Sequence, residues 1–328
     1  MEGATAANKL EKAFVGTLRG HKGEVTCLVA GNLTAEVAES RMLISSSRDK
    51  SILIWKLTPG EAEARRGQPF GSAYRSLRGH NHFVSSLVLS KDNLHLFSGS
   101  WDKTVRHWDL RTGSCTDTFS GSPHPISSIT VSQDSRRIFT TGLGNPILLW
   151  NTKGTQMGRG GECTPENWVS RVCCSPATKN DYLASIDRDG WLSIWEASFE
   201  CKARVKAHEE PITALAIAFN GMYIATGSTD KLVKIWNLRS LAEPFQTVRC
   251  NGPVNDVIFN PQMKIFAVAT DADVAVFNLD QSVRDPNFTV ELEKGQGKFS
   301  SVAWSADGKY LFCGCGNGDI PVYKVSLA

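Results

Sequence analysis

A short pattern that ends in tryptophan returns along the chain at a nearly constant interval, and it constrains the fold more than any other feature of the sequence. Its clearest copy runs from Gly99 to Asp109 and reads GSWDKTVRHWD. Asp102 stands six residues before Trp108, and the residues between them alternate as in a β-strand. The same spacing joins three further pairs: Asp49 and Trp55, Asp189 and Trp195, and Asp230 and Trp236.

Seven such units fit the chain if an aromatic residue ends each of them. The seven end residues are Trp55, Trp108, Trp150, Trp195, Trp236, Phe277 and Tyr323. A period of roughly 40–45 residues is typical of a blade of four strands. The repeat therefore predicts an all-β fold, a seven-bladed β-propeller, although a length of 328 residues would otherwise suggest two domains.

Composition and motifs give no sign of catalytic chemistry. The nine Cys lack the spacing of metal ligands, and no Walker loop or nucleophile elbow occurs. We therefore predict no catalytic residue, no metal, no cofactor and no small-molecule substrate, so the protein is expected not to be an enzyme. Neither a signal peptide nor a membrane span is visible, which predicts a cytoplasmic protein with reduced thiols.

Basic residues accompany the repeated aspartates. The net charge is only +3, so the placement of charges matters more than their total. Arg48 and Lys50 flank Asp49, and Lys103 follows Asp102 on the next unit. This cluster suits contacts with phosphate groups, which position a nucleic acid without reading its sequence. The alternative is that lysine after aspartate is simply a common turn residue of the repeat, and spacing alone does not decide between the two.

The repeats resemble those of the WD-repeat propellers. Within that class the chain is similar to the family of the receptor for activated C kinase, the guanine nucleotide-binding protein subunit beta-like scaffolds of the small (40S) ribosomal subunit. Four units carry the likeness, with SRDK followed by IWKL in unit one, SWDK with WDLRTG in unit two, WVS at residues 168–170 in unit four, and SVAWSADG in unit seven. They occur in the family's order around the whole ring.

The resemblance implies a structural role for the His, Asp and Trp of each unit. A buried His bonds the turn Asp, and a Ser or Thr on the neighbouring strand links it to the Trp indole. Three units carry the full set: His21, Asp49 and Trp55; His80, Asp102 and Trp108; and His208, Asp230 and Trp236. A catalytic His–Asp base is the alternative, but it recurs in too many units for one active site. In the degenerate units, Asp189 and Asp271 are expected to be the turn aspartates.

The resemblance also implies how the ring closes. Residues 1–12 are expected to be a flexible tail, and residues 13–328 a single propeller. Residues 13–19 would pair with the last blade, because closure limits the exposed sheet edges of a propeller.

In the related scaffolds the Arg-Asp-Lys turn of the first blade docks onto ribosomal RNA. Arg48 and Lys50 match that turn directly, and Lys103 is an extension of it. The resemblance thus implies a non-enzymatic adaptor that contacts the rRNA and proteins of the small subunit. Its partners would be translation factors and signalling kinases such as protein kinase C, which it would link to translation.

Other adaptor functions are open alternatives. A G-protein beta subunit would place a long helix before the first strand, and a ubiquitin-ligase substrate receptor would normally bring an additional domain. Either alternative would make the chain a free WD-repeat adaptor that does not bind the ribosome. An enzyme would need a polar constellation in the central channel that the sequence does not display.

Overall fold

The computed structural model describes residues 10–32, 41–58, 70–144, 146–160, 168–176, 182–196, 199–280 and 285–327. Within these ranges the chain forms 28 β-strands and no helix. The strands are β1 (Leu10–Leu18), β2 (Val25–Asn32), β3 (Arg41–Ser47), β4 (Ile52–Leu57), β5 (Gly71–Leu77), β6 (Val84–Leu89), β7 (His95–Ser100), β8 (Val105–Asp109), β9 (Ser114–Phe119), β10 (Ile126–Val131), β11 (Arg137–Gly142), β12 (Leu148–Asn151), β13 (Gln156–Arg159), β14 (Val169–Cys174), β15 (Tyr182–Asp187), β16 (Trp191–Glu196), β17 (Cys201–Lys206), β18 (Ile212–Ile217), β19 (Tyr223–Ser228), β20 (Leu232–Asn237), β21 (Gln246–Arg249), β22 (Val254–Phe259), β23 (Ile265–Thr270), β24 (Asp273–Asn278), β25 (Phe288–Glu291), β26 (Phe299–Trp304), β27 (Tyr310–Cys315) and β28 (Ile320–Leu327).

The described strands form seven four-stranded sheets, and six of these sheets contain four consecutive strands. The first strand of each blade lies innermost, and it contacts the first strand of the next blade. These inner strands are β2, β6, β10, β14, β18, β22 and β26. Because β26 also contacts β2, the ring is closed. The predicted all-β, seven-bladed propeller is therefore confirmed.

The last blade is completed by the first strand of the chain. Its sheet has the order β1-β28-β27-β26, and β1 pairs with β28 from Leu10 to Leu18. The strand thus begins at Leu10, three residues before the predicted segment 13–19, and residues 10–12 do not belong to a tail. The reason is apolar burial, since Leu10 packs into the core between blades six and seven. Residues 1–9 lie outside the described chain.

Seven hydrophobic clusters fill the spaces between neighbouring blades. The second strand from the channel contacts neighbouring blades on both faces, so it is almost entirely buried, as in β23, where every residue is buried. Outer strands have one exposed face, and β17 accordingly alternates between half-buried and exposed residues. The repeated Trp belongs to these clusters, as when Trp108 packs between blades one and two.

Hydrogen bonds also join each blade to the next around the channel. The second residue of every inner strand donates from its side chain to the carbonyl oxygen of the first residue of the next inner strand. Six donors are hydroxyl groups, on Thr26, Ser85, Ser127, Ser170, Thr213 and Ser300. The seventh donor is the amide of Asn255, 2.7 Å from the carbonyl oxygen of Phe299. This position therefore fixes the register between blades around the whole ring.

Candidate nucleic-acid interface

The first blade contains a continuous chain of buried hydrogen bonds from indole to carboxylate. The Trp55 indole N–H donates to Ser45 Oγ at 2.8 Å, and Ser45 Oγ lies 2.7 Å from His21 Nε2. His21 Nδ1 lies 3.0 Å from Asp49 Oδ2. The indole can only donate and the carboxylate can only accept, so this series of hydrogen bonds runs in one direction, from Trp55 to Asp49. It holds the turn that carries Arg48 and Lys50 against the strands below.

The same network is present in blades two and five. In blade two the distances are His80–Asp102 2.8 Å, His80–Ser98 2.7 Å and Trp108–Ser98 2.8 Å. In blade five they are His208–Asp230 2.8 Å, His208–Thr226 2.9 Å and Trp236–Thr226 2.9 Å. All three sets predicted from the sequence are thus brought together as structural contacts.

These networks shift the acidity of the turn aspartates. Burial alone would raise the pKa of the Asp102 carboxyl, but hydrogen bonds from His80, Thr104 and the backbone N–H of Asn81 outweigh it. The pKa of Asp102 therefore lies well below its usual value. The pKa of Asp49 is lowered in the same way. Both carboxylates are ionised at neutral pH and act as acceptors that order their turns.

The turn aspartate of blade four is Asp187, not Asp189 as the spacing predicted. Asp187 is buried, and its Oδ1 accepts the backbone N–H groups of Asp189 and Trp191. Asp189 is exposed. Burial raises the pKa of Asp187, although hydrogen bonding and the nearby Arg204 oppose that rise.

Blade six also differs from the prediction, because Asp273 rather than Asp271 occupies the buried site. Asp273 Oδ1 accepts the Thr270 hydroxyl at 2.7 Å, and its Oδ2 accepts the Asn251 amide at 2.6 Å. The turn of this blade is one residue shorter, so counting back from the aromatic end residue selects the exposed Asp271. The end residue is Phe277, which has no indole to donate.

The Asp-Lys turns present lysine side chains at fixed positions. Lys50 and Lys103 both have a left-handed backbone with φ of 71°, and Lys231 in blade five has φ of 67°. The preceding aspartate holds each turn, as when Asp102 Oδ1 accepts the backbone N–H of Thr104 at 2.9 Å. All three lysines are exposed. The hairpins of blades one and two therefore present equivalent cations on neighbouring blades.

Arg48 is less free than the lysines. Its Nε lies 2.9 Å from Glu24, and its Cζ lies 5.3 Å from the ring centroid of Phe83 in blade two. Glu24 also contacts Lys298 of blade seven at 3.2 Å. One acidic group thus lies between two cations, which leaves this patch with net positive charge. Arg48 still exposes 52% of its side chain.

Two further features were not found from the sequence. His82, Phe83 and Trp101 form an aromatic cluster beside Arg48, and the GSWD motif contained the signal in its exposed Trp101. In the channel, Arg171 Nη1 lies 2.6 Å from Asp256 Oδ1. No local pattern indicated that ion pair, because its partners are far apart in sequence.

The channel has little nucleophilic character. A cavity of about 320 Å³ is lined by hydroxyl and apolar groups together with Arg171, Asp256, Cys27 and Cys173. Burial raises the pKa of both Cys27 and Cys173 to about 11. At neutral pH nearly all of each thiol is therefore protonated, and the protonated form is a poor nucleophile.

The chain is similar to known proteins along most of its length. Residues 12–56, 71–109 and 199–237 match the family described as WD domain, G-beta repeat. Residues 257–328 match the anaphase-promoting complex subunit 4 WD40 domain. The Small ribosomal subunit protein RACK1 of Neurospora crassa is 36% identical over 307 residues, which are 91% of this chain and 93% of that protein. The chain belongs to the RACK1-like WD-repeat family.

Two other relatives extend this likeness. The Cross-pathway control WD-repeat protein 2 of Flammulina velutipes is 37% identical over 95% of this chain and 98% of its own length. The MST50-interacting protein 11 of Pyricularia oryzae is 36% identical over 91% of this chain and 93% of its own length. The three segments that match the WD domain contain the blades with a complete His-Asp-Trp network, so the family signal follows the buried polar contacts. Among the described residues no helix could cross a membrane.

Proposed function

We propose that this RACK1-like protein is a non-enzymatic scaffold that docks on the small ribosomal subunit in the cytoplasm. The docking face consists of Arg48, Lys50 and Lys103, which would contact phosphate groups of rRNA and neighbouring ribosomal proteins. The observation that carries the proposal is the equivalence of the two Asp-Lys turns. Their lysines have the same backbone conformation, lie on adjacent blades and are exposed.

Electrostatics support a nucleic acid as the partner of this face. Among the described residues neither Lys50 nor Lys103 forms an ion pair, so their charges are available to a ligand. The turn aspartates next to them are engaged by His21 and His80. Contacts of this kind position a phosphate backbone and make binding depend on salt concentration. A relative named as a small ribosomal subunit protein agrees with this partner.

The remaining surface would present signalling kinases, protein kinase C among them, and translation factors. A ring of seven blades offers several independent surfaces, and one blade pair is enough for docking. The scaffold would then bring regulatory proteins to translating ribosomes without performing chemistry itself.

Sedimentation of cell extract on a density gradient tests the proposal. We expect the wild-type protein to travel with small subunits and the Arg48→Asp/Lys50→Glu variant to remain in the light fractions. Lys231→Glu is the matched control, since it reverses a charge in the equivalent turn of blade five. It should sediment like the wild type.

Thermal unfolding of each variant shows whether the propeller is intact. A folded Arg48→Asp/Lys50→Glu variant that still travels with small subunits would refute this docking face. A wild-type protein that never leaves the light fractions would refute the ribosomal role and favour a free WD-repeat adaptor.

A further inference from the structure

Three aromatic side chains of blade two lie between Arg48 and Lys103. The rings of His82 and Trp101 are nearly parallel, with centroids 5.8 Å apart and planes at 17°. Phe83 contacts both, at 4.4 Å from His82 and 6.1 Å from Trp101. Arg48 lies over the Phe83 ring. A continuous line of contacts thus joins the basic turn of blade one to the turn of blade two.

The His82 and Trp101 rings are accessible. Trp101 exposes 40% of its surface, and His82 is exposed as well. The five Trp residues that end repeats are buried to 2% exposure or less, and Trp168 and Trp191 are half-buried, so Trp101 is the most exposed Trp among the described residues. The backbone N–H of Trp101 donates to the carbonyl oxygen of Phe83 at 3.0 Å, which fixes the turn that carries the indole.

Five other blades form the hydrogen bond that Trp101 makes to Phe83, from a turn N–H to the carbonyl oxygen of the residue before the inner strand. The turn residue that donates in those blades is never aromatic, and it is Arg48, Arg188, Thr229, Asp271 or Gly316. The propeller architecture therefore does not require an aromatic side chain at this position. Trp101 belongs to none of the hydrophobic clusters between the blades, so its exposed ring is available to a ligand.

Two exposed lysines lie in the turns that adjoin this aromatic cluster. Lys103 follows Trp101 by two residues in the same turn, and Lys50 occupies the equivalent place in blade one. The neighbouring carboxylates of Asp102 and Glu24 are already engaged by His80 and by Arg48. Aromatic faces flanked by unpaired cations are the combination that binds unpaired nucleotides, because the base stacks while the phosphate is neutralised.

We propose that His82, Phe83 and Trp101 form a stacking platform for an unpaired nucleotide of ribosomal RNA. This inference rests on the proposed docking face and adds to it a base contact, whereas Lys50 and Lys103 contact only phosphates. The nucleotide stacks on the exposed indole, and Lys103 contacts its phosphate. An RNA segment with a loop, bulge or frayed end is therefore the ligand class, since paired bases present no free ring face.

The test measures binding of the purified protein to small ribosomal subunits washed free of it, at several salt concentrations. Trp101→Leu should weaken binding about tenfold with an unchanged salt slope, because stacking contributes without releasing counterions. Trp101→Phe should retain most of the affinity. Lys103→Gln should weaken binding and reduce the salt slope by about one. Phe219→Leu is the control, since it removes an aromatic ring that is 71% exposed on blade five.

The possible results distinguish failure of the stacking platform from failure of the proposed docking face. If Lys103→Gln and Lys50→Gln weaken binding but Trp101→Leu matches the wild type, the stacking platform is refuted and docking stands. If no wild-type binding occurs, the docking face itself fails. Ultraviolet crosslinking of the bound complex decides the ligand class. A nucleotide adduct on the peptide containing Trp101 supports RNA, and an adduct with a ribosomal protein at that position overturns the proposal.

Discussion

At the scale of single residues, one buried hydroxyl connects the Trp108 indole N–H and His80 Nε2, which have no other partner among the described residues. Ser98 Oγ accepts the Trp108 indole N–H and lies 2.7 Å from His80 Nε2. We predict that Ser98→Ala lowers the free energy of unfolding by about 1–3 kcal/mol, because two buried polar groups lose their hydrogen bond. Urea unfolding measures the change. The control Ser72→Ala removes an exposed hydroxyl from β5 and should be neutral; an equal loss in both variants would contradict the network.

The turn aspartates predict a pH dependence of stability. The pKa of Asp102 is lowered in the folded state, so its ionised form stabilises the fold at every pH above the unfolded pKa of about 4. That contribution is lost as the pH falls through the folded pKa. Asp102→Asn should therefore be less stable than wild type at pH 7, and the difference should shrink from about pH 4 downwards. Unfolding curves at several pH values measure it, and a difference that grows in acid would be incompatible with the assignment.

Residue identities within the degenerate turns could not be predicted by spacing. In blade four, Asp187 stands where blade one has Ser47, and both accept the backbone N–H two residues further on. In the complete blades a hydroxyl residue lies two positions after the strand partner of the end Trp, whereas in blade six, where Phe266 pairs with Phe277, that position is Val268. Blade six thus lacks both the indole donor and the hydroxyl group that would accept its hydrogen bond. Such substitutions are visible only when the partners are known in three dimensions.

At the scale of elements, closure of the ring depends on a strand whose ends are apolar. Leu10 pairs with Leu327 and is buried, while the residues after it face solvent. Leu10→Ala should lower the free energy of unfolding by about 2–4 kcal/mol, because it leaves a cavity between blades six and seven. The control Glu11→Ala changes an exposed position and should cost little. Chemical unfolding distinguishes the two, and equal stability of both variants would show that β1 does not contribute from Leu10 onwards.

The seven blades could be predicted from the sequence because the aromatic end residues and the strand alternation are local signals. The start of β1 could not be predicted, because Glu11 and Lys12 are polar and polar residues are equally typical of a flexible tail. Lys12 is in fact held, since its ammonium donates to the carbonyl oxygen of Thr289 and lies 5.9 Å from the Phe288 ring. A polar residue on the exposed face of an edge strand is indistinguishable from a tail residue without its neighbours.

At the scale of the whole molecule, an ion pair crosses the channel between blades four and six. Arg171 contacts Asp256 and also donates to the carbonyl oxygen of Asn255 at 3.0 Å. Asp256 accepts further bonds from Ser301 and from the backbone N–H of Val302. The pair therefore links blade four to blades six and seven, and because Arg171 and Asp256 are far apart in sequence, local patterns could not predict it.

Removing one partner of this pair should cost more than removing both. Asp256 is almost fully buried, so Arg171→Met leaves an uncompensated charge and should lower the free energy of unfolding by about 3–5 kcal/mol. The double variant Arg171→Met/Asp256→Leu should recover part of that loss. A double-mutant cycle by urea unfolding measures the coupling. Additive effects of the two substitutions would mean that the pair is not a coupled contact.

The central claim, docking through Lys50 and Lys103, can be measured directly by lysine reactivity. Purified small subunits carrying the protein are treated with an amine-reactive reagent, and modification of each lysine is quantified by mass spectrometry against the free protein. We predict that Lys50 and Lys103 become protected on the subunit, while Lys231, in the equivalent turn of blade five, stays reactive. Protection of Lys231 with unchanged reactivity at Lys50 and Lys103 would contradict the account.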